Sequence, residues 1–119
     1  MYAFNEIEKL LSSNVRQILS DPTVYDEFEK QTSYIMRDFS GVDITQSPPP
    51  DWTKQPFAWI MEYLVSNRLS SITEEYRQKI ETNWKAALKI LDKHSTVGQN
   101  ENPITPNLDN IEDVYSVDF

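Results

Sequence analysis

Residues 55–69 constrain this chain most. They carry Phe57, Ala58, Trp59, Ile60, Met61, Tyr63, Leu64 and Val65, and few polar positions are left among them. A helix that is apolar nearly all round has no face suited to water, so it must be central or covered by neighbours. Pro56 sits near its start. The helix either begins close to Gln55, or begins at Trp52 and kinks at the proline. The rest of the chain has to supply the covering elements.

The neighbouring segments have the right pattern. Asp21 is a good N-cap, and Pro22 then falls at the first helical position, where its missing N–H costs nothing. Val24, Phe28, Thr32, Ile35 and Phe39 follow at spacings of three and four, one mostly apolar stripe. Gly41 is suited to close that helix in the left-handed conformation. Ser71 and Glu74 have capping-box spacing, with Ser71 at the N-cap. A long helix follows, with Tyr76, Ile80, Trp84, Ala87 and Leu91 as its stripe. Its Lys89, Lys93 and His94 end complements the helix dipole. At the N-terminus, Phe4, Ile7, Leu10 and Leu11 have helical spacing. A break is expected near Ser12, Ser13 and Asn14, with Asn14 able to cap a second short piece. Residues 42–51 read as a loop. Pro48, Pro49 and Pro50 favour stiff polyproline geometry, and Val42 and Ile44 allow a short extended piece.

The predicted fold is therefore all-α: a small bundle of about four helices, near 4–12, 22–39, 55–69 and 72–94, with an extended C-terminal arm. The third helix should be the most buried. Phe28, Ile35, Ile60, Leu64, Ile80, Trp84 and Leu91 are the expected core. Residues 1–97 form the helical domain and 98–119 the arm.

The arm has its own composition. It holds five carboxylates, two prolines and no Lys or Arg. Alone, it cannot bury enough apolar surface to offset its ordering entropy, so disorder is expected in the free protein. Its apolar residues, Ile104, Leu108, Ile111, Val114, Tyr115, Val117 and Phe119, are the candidate partner-binding residues. The arm reads as a docking element held by another subunit or another protein. Folding back on its own domain is the alternative.

Charge and residue inventory exclude several functions. Of the net charge of −8, the arm carries −5, and residues 1–97 carry 14 acidic and 11 basic side chains. Non-specific nucleic-acid binding needs clustered cations, which a mildly acidic body lacks. The chain has no cysteine and a single histidine, His94, so no zinc-ligand set or thiol nucleophile is available. Two glycines cannot build a phosphate loop. Adjacent carboxylates such as Glu74 and Glu75 do not face each other on a helix. Asp109, Glu112 and Asp113 lack EF-hand spacing. No apolar run reaches the 18 or so residues of a membrane span, and the N-terminus lacks the basic and apolar regions of a signal peptide. No catalytic residue, metal or cofactor is expected, which leaves a binding or structural protein.

The order of elements is specific. A short N-terminal helix pair precedes "DPT…DEFEKQTSYIMRDFSG". A proline-rich loop leads to "DWTKQPFAWIMEYLVSNRL". The long helix "EEYRQKIETNWKAALKILDKHS" follows. Over residues 2–95 this pattern resembles the small helical head–tail connector (adaptor, or head-completion) proteins of tailed bacteriophages. The resemblance implies a structural virion protein, assembled in the host cytoplasm and located at the neck. Copies would form a ring, commonly a dodecamer, beneath the portal protein. The ring would extend the channel through which DNA passes without specific binding, and would offer a platform to the next neck or tail-completion protein. A C-terminal extension that grips the portal occurs in such proteins and corresponds to residues 98–119 in position and character. The run Pro48 to Pro50 is longer than the pattern leads one to expect. The competing reading is a regulatory module, of antitoxin or inhibitor type, whose acidic-hydrophobic tail folds on a partner. An acidic DNA mimic fits less well, because its charge should line a face rather than gather in the tail.

Overall fold

The computed structural model of the chain describes residues 1–45 and 48–95. Five α-helices and two short 3-10 turns make up these residues, with no strand among them. Helix α1 is Phe4–Ile7, continued by a 3-10 turn at Glu8–Leu10. Helix α2 is Ser13–Leu19 and α3 is Pro22–Ser40. A second 3-10 turn, Asp51–Thr53, leads into α4, Lys54–Ser66, and α5 is Glu74–Lys93.

The count of five rather than four comes from α2, the second short piece expected after a break near Ser12, Ser13 and Asn14 but not counted among the four helices. The first piece ends at Leu10, and Leu11 is extended, φ −104° and ψ 150°. That turn buries Leu11 and leaves Leu10 at the surface. Ser12, not Asn14, occupies the N-cap position of α2.

The boundaries of α3 follow from local chemistry. The Asp21 carboxylate accepts the Thr23 N–H at 2.9 Å, and Pro22 opens the first turn. Gly41 closes the helix at φ 75°. In α4 the helix starts at Lys54, which puts Pro56 in the first turn. No N–H there has an intrahelical acceptor, so the proline is accommodated without a kink. For α5, the expected Ser71–Glu74 capping box does not form. The N-cap is Thr73, whose hydroxyl accepts the Tyr76 N–H at 3.1 Å, and Glu74 is the first helical residue. Among the described residues of the loop after α3 there is no strand. Ile44 is buried at a turn in which the Asp43 carboxylate accepts the Thr45 N–H.

Helix α4 is the most buried element: Phe57, Ala58, Ile60, Met61 and Val65 are wholly inaccessible. It packs against α5 along a seam where the Tyr63 and Trp84 rings stack at 4.3 Å, tilted by 13°. Helix α3 covers another side with Phe28, Ile35 and Met36. Arg68, just after α4, lies over the Phe28 ring at 4.6 Å and pairs with Glu27 at 3.2 Å, fastening the end of α4 to α3. The N-terminus is tied in by Tyr2. Its hydroxyl shares a 2.6 Å hydrogen bond with Thr53, and its carbonyl accepts the Tyr25 O–H at 2.6 Å.

Six of the seven expected core residues are buried. The exception is Leu64, which is only half-buried at the edge of the cluster. Leu64→Ala should therefore cost about 1–2 kcal/mol, below the 2–5 kcal/mol range of fully buried leucines. Urea denaturation measures it, and a loss above about 3 kcal/mol would place this side chain in the closed interior.

Candidate functional site

The seven residues expected to bind a partner, Ile104, Leu108, Ile111, Val114, Tyr115, Val117 and Phe119, lie outside the described residues. What the described residues show is where that segment leaves the body. Helix α5 ends at Lys93, and the His94 ring stacks on Trp52 at 4.0 Å, tilted by 6°. The chain therefore departs beside the 3-10 turn that precedes α4. His94 is an exposed residue at a helix C-terminus, as its sequence position indicates.

One polar cluster inside the body has no counterpart in the sequence expectations. Glu62 is the only charged residue of α4 after Lys54, and it is 6 % exposed. Its Oε1 accepts the Ser12 N–H at 2.8 Å. Its Oε2 accepts the Tyr76 O–H at 3.1 Å, and the Ser12 and Tyr76 hydroxyls lie 3.0 Å apart. Three elements meet at this carboxylate: the break before α2, the middle of α4 and the first turn of α5. The sequence signal was a lone charge within an otherwise apolar helix. Such a charge is buried only if hydrogen-bonded.

The arrangement ties three elements together, since each Glu62 oxygen accepts a hydrogen bond from a different one. Burial pushes the Tyr76 hydroxyl up to about 12, the Ser12 hydrogen bond opposes this, and the Glu62 carboxylate adds to it through its charge and its hydrogen bond. Burial also raises the Tyr25 hydroxyl, with smaller contributions from Glu29 and Glu6. Among the described residues no group of three or more His, Asp or Glu side chains could hold a metal ion, and no helix is long and apolar enough to cross a membrane.

These tyrosines give the protein an alkaline limit. Both folded-state values are raised above the ordinary 10.0. The stability they contribute is fully present below the unfolded value and is lost as pH rises through the folded values. The urea midpoint should fall between about pH 10 and pH 12, and Tyr76→Phe should fall less steeply over that interval. Equal slopes in the two proteins would show that Tyr76 ionises alike in the folded and unfolded chains.

Among the described residues, one aromatic is prominent at the surface. Tyr34 on α3 is 58 % exposed, with the Arg37 guanidinium 5.8 Å from its ring centre. Tyrosine and arginine are both among the residue types enriched at the energetic centres of protein interfaces. No protein-family model, curated protein or solved structure matches the chain.

Proposed function

We propose that the chain is a structural virion protein, a head-to-tail adaptor whose copies form a ring under the portal of a tailed bacteriophage, extend the DNA channel and join the head to the neck and tail. The observation that carries this is the register between sequence blocks and helices. The block opening at Asp21 and closing at Gly41 is α3 with both its caps, the block from Asp51 is the 3-10 turn with α4, and the block from Glu74 is α5. A ring subunit needs two unlike faces that meet in neighbouring copies, and the Tyr34–Arg37 pair offers one candidate contact. The body's small net charge suits a conduit that DNA passes without adhering. The portal, the next neck protein and further copies of the chain are the proposed partners. Residues 98–119 are the proposed grip on the portal.

The test is co-assembly with portal rings of the same virus. The full chain should bind intact rings, and binding should weaken with salt because the arm is acidic. Deleting residues 104–119 should leave far-UV helicity unchanged and remove attachment. No binding of the full chain to intact portal rings would overturn the adaptor reading. Unchanged affinity after the deletion would overturn the role of the arm.

A further inference from the structure

At the end of α3 away from Tyr34 lies an open groove of about 400 Å³, bounded by the first residues of the chain, the α2–α3 junction and the first turns of α3. Phe4, Leu19, Pro22 and Tyr25 supply its apolar lining and Asp26 and Glu29 its charge, and no Lys or Arg lines it. The walls are held in place. The Phe4 and Tyr25 rings meet edge to face at 5.7 Å, and the Tyr25 hydroxyl donates to the Tyr2 carbonyl. Asp26 is already paired with Lys30 at 3.3 Å. The Glu29 carboxylate is half-buried and has no hydrogen bond or ion pair among the described residues. The amino terminus and Lys30 act on it only from beyond 4.0 Å. A carboxylate that burial has partly stripped of water gains from an incoming cation.

We propose that this groove receives Tyr34 and Arg37 of a second copy of the chain. Three observations point to that occupant. Of the three large apolar side chains exposed among the described residues, Tyr34 is the most exposed, and Arg37 lies over its ring. The charges are complementary. Arg37 has no ion pair within 4.0 Å among the described residues, and a guanidinium is weakly enough hydrated to leave water for Glu29 while the Tyr34 ring enters the apolar lining. Finally, Tyr34 cannot fill the groove of its own chain: along α3 it lies about 14 Å beyond Tyr25 and leaves the helix on about the opposite side. A projection and a socket at different places on one subunit make a heterologous contact, which repeats from copy to copy. The contact deepens the ring reading, on which its biological setting rests, by supplying the second of the two unlike faces.

A charge swap in the full chain tests it without portal. Sedimentation equilibrium up to about 1 mM should show the wild-type chain associating. Arg37→Glu alone and Glu29→Arg alone should each weaken association about tenfold or more, because like charges then meet at every contact. An equimolar mixture of the two variants should regain it, since opposite charges then meet wherever unlike chains touch. Amide signals of Leu19, Ser20 and Glu29 should move on dilution of the wild-type chain and stay fixed in Arg37→Glu. A wild-type chain that remains monomeric up to about 1 mM, or a mixture that associates no better than its components, would overturn the proposal. The two readings fail separately. A chain that binds portal rings and fails the mixing test keeps the adaptor role and loses this contact. A chain that passes it and ignores portal does the reverse.

Discussion

Trp84→Ala should destabilise the protein by about 3–5 kcal/mol, the range for removing a buried large aromatic. Trp84 has no accessible surface and lies between α5 and α4, with its ring stacked on Tyr63. Removing the indole forfeits its transfer free energy, leaves a cavity that rigid helices fill only in part, and loses the ring pair, worth about 0.5–1.5 kcal/mol more. A small domain has about 5–15 kcal/mol in total, so the variant should unfold at a much lower urea concentration. Trp59, half-buried on the same helix as Tyr63, supplies the comparison: Trp59→Ala should cost clearly less. A Trp84→Ala loss below about 1 kcal/mol would mean that the α4–α5 seam does not close around this ring.

The order of the helices and the extent of α3 were legible because the signals are local. Asp21, Pro22 and Gly41 fix the ends of α3 through a side-chain cap, a pre-set φ and a left-handed residue, none of which needs a tertiary partner. The central place of α4 was legible because no covering-free arrangement exists for so apolar a helix. What escaped was decided across the fold. Leu10 and Leu11 fit the helical spacing equally well, and only burial against the other helices selects Leu11 and bends the chain there. Ser71 and Thr73 are both good N-cap residues; the helix starts at the second, next to Tyr76, whose hydroxyl is already committed to Glu62. Leu64 falls on the apolar stretch, yet a helix covered on several sides still has an edge, and Leu64 occupies it. Of the candidate site, the described residues show the root beside Trp52, while its seven named contacts lie beyond them.

Glu62 gives the second large effect, and it inverts the usual expectation for a charge in an apolar helix. Replacing a buried ion pair with apolar groups is often harmless, but Glu62 is not paired with a cation in the contacts described. It is an acceptor for two donors from different elements: the Ser12 N–H at the N-cap of α2 and the Tyr76 O–H at the start of α5. It does for Ser12, from 50 residues away, what a capping-box glutamate does from within its own helix. Glu62→Ala should therefore cost about 2–4 kcal/mol, since each donor left without an acceptor in the interior costs about 1–3 kcal/mol. The Tyr76 hydroxyl can turn toward Ser12 Oγ, so Ser12 N–H bears most of that cost. Glu62→Gln keeps one acceptor oxygen for Ser12 and should lose only about 1 kcal/mol. A double-mutant cycle with Tyr76→Phe separates the two halves of the cluster. If the tyrosine bond is part of the loss, Glu62→Ala should cost about 1 kcal/mol less in the Tyr76→Phe background. Strict additivity, together with a Glu62→Ala loss under about 0.5 kcal/mol, would show that water already satisfies these donors and that the three helices are held at this point by packing alone.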